Sequence, residues 1–225
     1  MGDDKHRAVR RIERIGLIGD VHTERRRLEG VLKHFAKLGL EAVLCTGDLP
    51  DGPGGASDVD ACARLLQEYG VLTIAGNHDR WLLDGEMRDL TGATDKDELV
   101  RETLEFLSQL PMTREFDSPM GRVLQCHGMG GDDMGGVQPH DHGLALDSNK
   151  ALQSVLREEQ YRCVLSGHTH RPMLRTVGGV TLINAGTLLS GQAPCCAVVD
   201  FRARTVQVFD VAQDGATIEA VAASL

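Results

Sequence analysis

Aromatic residues are scarce in this chain of 225 residues, where one Trp, two Tyr and five Phe amount to 4%. The interior must therefore be built from aliphatic side chains. Positive charge is also short, with 24 Lys and Arg against 33 Asp and Glu and a formal net charge of −9. That balance argues against stable nucleic-acid binding, which needs a basic footprint to neutralise phosphates. No apolar run reaches the roughly 20 residues of a membrane-spanning helix, and Met1–Arg14 is charged rather than apolar. No membrane association is expected. The six cysteines (Cys45, Cys62, Cys126, Cys163, Cys195 and Cys196) follow neither a disulfide framework nor a zinc-ribbon spacing. Three of them sit in apolar runs, as small buried residues do. A reduced, cytoplasmic protein is the plain expectation.

Along the chain, short apolar runs alternate with helical spacing. Ile15–Gly19 reads as a buried strand, and Leu28, Val31, Leu32 and Phe35 share one helix face that Gly39 ends. Ala42–Cys45 and Val71–Ala75 are further strands, with a helix over Asp58–Tyr69 that turns Leu65 and Leu66 inward. This alternation predicts βαβ units and a largely parallel sheet, whose carboxyl edge is where ligands bind. Thr94-Asp95-Lys96-Asp97 reads as a capping box for a helix over Glu98–Leu110. Val123–Cys126 and Arg162–Ser166 are two more strands. Met173–Val177, Val180–Ile183, Ala197–Phe201 and Thr205–Val211 then predict an antiparallel sheet packed on the first. The expected division is a charged extension over 1–14, one domain over 15–213, and a tail over 214–225 without a clear element.

Five short motifs follow apolar runs in a fixed order. They are Asp20-Val21-His22, Gly47-Asp48, Gly76-Asn77-His78-Asp79, His127-Gly128 and Gly167-His168-Thr169-His170. Alone, an Asp-x-His or a Gly-Asp is an ordinary strand terminus. Together they supply carboxylates, imidazoles and one amide, enough for two metal ions suited to attack on phosphorus. In Asn77-His78-Asp79, Asn offers a neutral oxygen, His a proton, and Asp a group to orient the His. The mixed nitrogen and oxygen donors suit Mn²⁺, Fe, Zn²⁺ or Ni²⁺ better than Ca²⁺ or Mg²⁺.

This ordered set resembles the calcineurin-like metallophosphoesterases, over about Ile15 to Thr187, and the small bacterial phosphodiesterase-type members in particular. The resemblance implies an α/β fold of two facing mixed β-sheets flanked by helices, a four-layer αββα sandwich with a dimetal site at strand C-terminal ends. It implies one metal on Asp20, His22 and His170, a second on Asn77, His127 and His168, and Asp48 bridging both. His78 would act as general acid beside a metal-bridging hydroxide, with Asp79 holding its imidazole. Asn184-Ala185-Gly186-Thr187 resembles the family's Asn-Pro-Gly-Ser segment, with Ala in place of Pro. Thr23 stands where Gly often follows the first motif. The run after Asp48 lacks the Arg of the protein Ser/Thr phosphatases, which disfavours a phosphoprotein substrate.

The implied function is hydrolysis of a small phosphate ester, a phosphodiester foremost, on a small phosphorylated or nucleotide substrate. A phosphomonoesterase or a dinucleoside polyphosphatase is the alternative, followed by a non-catalytic scaffold or nucleotide-binding protein of the same fold. The scaffold reading predicts damaged ligands, and none is damaged here. Arg80 and Arg171 each follow a motif and offer bidentate phosphate contacts; each equally suits a surface position or a pairing with Asp79 or Asp84. Asp132 and Asp133 are candidates for substrate contact or for bonding loop amides. His140 and His142 mark either an accessory metal site or a solvated loop. Trp81 either lines the pocket mouth or packs beneath it.

Overall fold

The computed structural model describes residues 10–225. Strands β1 (Arg10–Arg11) and β2 (Arg14–Ile18) precede helix α1 (Arg25–Phe35), β3 (Ala42–Cys45), α2 (Ala56–Glu68), β4 (Leu72–Thr73) and α3 (Asn77–Asp84). A 3₁₀ turn at Lys96–Glu98 leads to α4 (Arg101–Ser108), followed by the hairpin of β5 (Thr113–Ser118) and β6 (Gly121–Cys126). Short helices α5 (Leu144–Asp147) and α6 (Lys150–Arg157) come before β7 (Tyr161–Ser166). The chain closes with β8 (Met173–Val177), β9 (Val180–Asn184), β10 (Cys195–Asp200), β11 (Thr205–Val211) and β12 (Thr217–Ser224).

Two mixed six-stranded sheets result, in the orders β1-β5-β6-β7-β9-β8 and β12-β11-β10-β2-β3-β4. Period-two alternation explains how they stack. Ile15 and Leu17 of β2 face the other sheet, in one cluster with Val123, Cys163, Leu165 and Ile183. Ile18 faces outward onto Leu28, Val31, Leu32 and Phe35 of α1, and Cys62 and Leu66 of α2. On the far side, Val164 and Leu182 pack under Leu152 and Val155 of α6. The layers are helices, sheet, sheet, helix. Strands buried on both faces read as continuous apolar runs, which is why Ile15–Gly19 shows no alternation.

The fold agrees with the expected sandwich and corrects several details. The last strands do not form a sheet of their own. β9 joins β7 in parallel, whereas β10 joins β2 antiparallel, so the second half completes both sheets. Residues 214–225 are mostly strand, since β12 pairs along β11. The extension over 1–14 is described only from Arg10, and its end forms β1 and the start of β2. The expected capping box is not made by Thr94; Asp95 caps the 3₁₀ turn by accepting from the Asp97 amide at 3.0 Å. Leu65 is only partly buried, whereas Leu66 is fully so. All six cysteines are buried and unpaired. Among the described residues no helix is long and apolar enough to cross a membrane.

Candidate metal centre

The carboxyl ends of β2, β3, β6 and β7 and the start of α3 meet at one edge, and the five motifs converge there. Asp20, His22, Asp48, Asn77 and His127 are each at most 2% exposed. Two motif glycines make the close approach possible. A Cβ on Gly76 would lie 2.2 Å from Asp48 Oδ1, and one on Gly167 would lie 2.3 Å from Asp20 Oδ1. Both positions must be glycine for the carboxylates to sit where they do.

One group consists of Asp20, His22, Asp48 and His170, whose candidate ligand atoms all lie within 4.8 Å of one another. His22 Nε2 stands 3.0 Å from His170 Nε2, and His170 Nε2 3.2 Å from Asp20 Oδ2. The second group centres on Asn77 Oδ1, 2.9 Å from His127 Nε2 and 3.0 Å from His168 Nδ1. Asp48 Oδ2 serves both, 3.8 Å from His22 Nε2 and 3.2 Å from His127 Nε2. Asp48 thus stands between the two groups, the position in which the resemblance implies a bridging carboxylate.

Hydrogen bonding on the far side of each ring says which nitrogen is free. His22 Nδ1–H donates to the Asp51 carbonyl at 2.7 Å, and His127 Nδ1–H donates to the Thr46 carbonyl at 2.7 Å. His170 Nδ1–H donates to Gln192 Oε1 at 2.8 Å. Each Nε2 then presents a lone pair to other acceptors. Lone pair against lone pair at 3.0 Å is repulsive unless a cation lies among them, and such outer donors are what orient ligating histidines. Asp20 Oδ2 is buried without any hydrogen-bond partner. A buried acceptor left open is costly, and a cation removes that cost. The residues present fit a divalent metal site.

Without cations, protons must balance the charge. Burial pushes the Asp20 carboxyl up to about 7, with neighbouring Asp48 adding to the effect. Burial works against a charged His127, but Asp48 and Asp20 outweigh it and push the imidazole up to about 10. His22 goes the other way, pushed by burial down to about 4. Burial likewise lowers His168 and His170. Neutral imidazoles are the ligating form.

His78 stands beside this group, its ring edge-on to His22 with centroids 4.9 Å apart. Trp81 packs edge-on against its other side at 4.6 Å, so packing is what this side chain does. The expected orienting partner was Asp79, and the structure corrects it. Both Asp79 oxygens accept backbone amides, from Gly76 and Asp48 at 2.8 Å and Leu49 at 3.0 Å. Asp79 stitches the two ligand loops together. Burial, with Asp48 nearby, pushes its carboxyl up to about 6 despite those amides. His78 Nδ1–H instead donates to Asp51 Oδ2 at 2.8 Å.

Asp51 is the functional residue that sequence reasoning missed. It sits three residues after Asp48 in a left-handed conformation (φ 61°), clamped by Arg88 through both oxygens at 3.0 and 2.8 Å. Thr94 completes the clamp, its amide donating to Asp51 Oδ1 at 2.9 Å and its hydroxyl accepting the Asp51 amide at 3.0 Å. Burial would raise the Asp51 carboxyl, but His78, Arg88 and the Thr94 amide hold it down at about 2. Burial would lower His78, yet Asp51 and Asp48 together raise it.

The expected substrate contacts separate. Arg80 is engaged by Asp133, with Nε at 2.7 Å from Oδ2, and by Glu86 at 2.9 Å. Asp132 Oδ1 accepts the amides of Met134 and Gly135 at 2.9 Å, so it shapes its own loop. Arg171 is exposed immediately after His170. His140 and His142 are exposed and belong to no metal-binding group among the described residues. Asn184 earns its motif resemblance through support, since its amide donates to the Gly167 carbonyl and to Thr169 Oγ1, ordering the last ligand loop.

Comparison with known proteins gives the family and the fold. Residues 14–204 match the calcineurin-like phosphoesterase superfamily domain. An uncharacterised protein of Methanocaldococcus jannaschii is 28% identical over 120 residues, 50% of this chain and 48% of that relative. The match thus spans about half the length of that relative. A hypothetical protein of Pyrococcus horikoshii has the same fold, with a TM-score of 0.71, 16% identity, and 88% and 87% of the two chains covered. An archaeal phosphodiesterase is similar at a TM-score of 0.56 and 15% identity, covering 88% of this chain and 99% of its own. The chain belongs to the calcineurin-like phosphoesterase superfamily.

Proposed function

We propose that this protein hydrolyses a small phosphate ester, a phosphodiester foremost, at a centre holding two divalent transition metal ions such as Mn²⁺ in a reducing cytoplasm. The observation that carries the reading is the pair of ligand groups sharing Asp48, in which acceptors face acceptors at 3.0–3.2 Å. Asp20, His22 and His170 would hold one ion, Asn77, His127 and His168 the other. When bound, such ions neutralise phosphoryl oxygens and lower the pKa of the attacking water.

The rest of the chemistry falls to side chains. His78, its Nδ1–H fixed by Asp51, presents Nε2 for proton donation to the leaving oxygen. A charged imidazole favoured by Asp51 and Asp48 is the form that donates. Proton donation matters most for alkoxides that leave poorly, which are the groups found in natural diesters. Arg171, exposed beside His170, is assigned to a substrate oxygen; Arg80, occupied by Asp133 and Glu86, is assigned to holding the 128–135 loop.

Hydrolysis of bis(p-nitrophenyl) phosphate and p-nitrophenyl phosphate by chelated, Mn²⁺-reloaded protein tests the reading. Metal-dependent turnover with the diester faster is the expected result. Faster monoester turnover would move the assignment to a phosphomonoesterase, and no turnover of either with both ions bound would refute it.

A further inference from the structure

We infer that Arg88 is a positioning residue for the proposed reaction, holding Asp51 in the one orientation that aims His78 at the leaving oxygen. The inference rests on the reading above for what His78 does, whereas the link from Arg88 to His78 stands on geometry of its own.

The segment after α3 is built to bring Arg88 back over the site. Gly85 ends the helix in the left-handed region (φ 74°), and the Glu86 amide returns to the Trp81 carbonyl at 2.8 Å. Met87 also takes a left-handed angle (φ 51°), which a long side chain rarely adopts. Gly92 (φ 80°) presses on the loop after Asp48, where a Cβ would lie 2.8 Å from the Gly52 carbonyl oxygen. Strained angles persist where surrounding contacts fix them. Here those contacts converge on one guanidinium.

Each nitrogen of that guanidinium is engaged. Nε donates to the Glu86 carbonyl at 2.6 Å, Nη1 to Asp51 Oδ1 at 3.0 Å and the Thr94 carbonyl at 3.2 Å, and Nη2 to Asp51 Oδ2 at 2.8 Å. The Glu86 carboxylate is tied in turn to Arg80 at 2.9 Å, and Arg80 to Asp133 at 2.7 Å. The anchor therefore reaches back to α3 and to the loop after His127. Asp51 is only 7% exposed, and each of its oxygens accepts two bonds. Oδ1 takes Arg88 and the Thr94 amide, while Oδ2 takes Arg88 and His78 Nδ1–H. A carboxylate held by a bidentate fork has its plane fixed. The direction left at Oδ2 is the one His78 fills, which sets the ring and hence Nε2.

Charge and orientation make opposite predictions for this arginine. Arg88 partly neutralises Asp51, so on charge alone its removal would strengthen the hold of Asp51 on the His78 proton and leave the acid intact. On orientation, removal frees a buried carboxylate to turn toward other donors. A misaimed acid then loses much of its effect, since a displacement of about 1 Å can cost on the order of 10²-fold. The contacts favour orientation. A point charge such as Lys would suffice to neutralise Asp51, whereas the planar fork and its two carbonyl anchors fix a direction.

Diphenyl phosphate and bis(p-nitrophenyl) phosphate share a shape but differ in how much protonation the leaving group needs. In Mn²⁺-loaded protein, Arg88→Ala is expected to lower kcat about 30-fold on the first and about threefold on the second, with KM moved less than about twofold for either. Free guanidinium ion should restore part of the loss, and ammonium ion should not. Arg88→Lys, which keeps the charge without the fork, should resemble Arg88→Ala. A second readout needs neither metal nor turnover. In metal-stripped protein carrying isotope-labelled histidine, the His78 Nδ1–H resonance is identified by its loss in His78→Gln. It is expected to be sharp in the wild type, broadened by exchange with water in Arg88→Ala and Arg88→Lys, and sharpened again by guanidinium. An unchanged resonance in Arg88→Ala, full activity in Arg88→Lys, or equal loss on both substrates would overturn the inference. Absence of ester turnover by the wild type would refute the hydrolase reading, while the resonance still decided the link from Arg88 to His78.

Discussion

Asp48→Asn is expected to lower turnover by at least about 10³-fold, because its carboxylate is the one group common to both ligand sets. The substitution keeps volume and the acceptor for the His78 amide, 2.9 Å from Asp48 Oδ1. It removes the negative charge. His127, held protonated by Asp48 and Asp20 in the metal-free cluster, would lose its main partner. Burial would raise the Asp48 carboxyl, but His127, His22 and His78 hold it low, so Asp48→Asn should lower the melting temperature of the stripped protein as well. The gain in melting temperature on adding Mn²⁺ should shrink sharply, because ligand binding stabilises only as far as affinity allows. Thermal scans with and without metal separate the cases. A gain on adding Mn²⁺ as large in the variant as in the wild type would mean that Asp48 is not a ligand.

The second large effect is expected at Asp51. Asp51→Asn should slow hydrolysis of alkyl phosphate esters by about 10²-fold while costing less than about tenfold on p-nitrophenyl esters, whose leaving groups need little protonation. His78 would keep a hydrogen-bond acceptor but lose the charge that favours its protonated form. Asp79→Asn should act differently, loosening the amides of Gly76, Asp48 and Leu49 and lowering metal affinity for all substrates alike. If Asp79→Asn gave the leaving-group dependence and Asp51→Asn did not, the assignment of the His78 partner would be wrong. A pH effect follows as well. The Asp51 carboxyl is depressed from 3.8 to about 2, so its stabilising contribution is complete above 3.8 and is lost as pH falls through 2. Acid unfolding of Asp51→Asn should lack that component.

How much of this was legible in the sequence depends on how local each feature is. The seven candidate ligand positions are local, since each follows a buried strand at the edge where the parallel strands end. Their motif glycines carry the same information, as Gly76 and Gly167 leave room for Asp48 and Asp20. The error over Asp79 is also local in origin. His78 and Asp79 are consecutive residues of α3, and side chains at i and i+1 of a helix do not face each other. Had that helix been read as beginning at Asn77, Asp79 would have been placed at its third position, capping Gly76. Asp51 lay in a Gly- and Pro-rich loop where an acidic residue is ordinarily solvated. Its role depends on Arg88 and Thr94, 37 and 43 residues away, and no local pattern shows that.

Sheet assignment failed for the same reason. β9 and β10 are adjacent in sequence, similar in composition and buried almost throughout, yet they enter different sheets beside β7 and β2. Register over such separations is set by which strand face meets which layer, which short apolar runs do not specify. The strand β5 was missed because its residues Thr113–Ser118 are mostly polar, with only Phe116 buried. Strand β12 was missed because small residues such as Ala222 and Ala223 carry little pattern, although the strand pairs along β11.

The proposed dimetal centre requires that this cluster hold two ions at once. Metal analysis of chelated protein reloaded with Mn²⁺ and washed free of excess ion decides this. Two ions per chain in the wild type are expected, with fewer in Asp48→Asn and in Asn77→Ala. One ion or none in the wild type, unchanged in both variants, would contradict it.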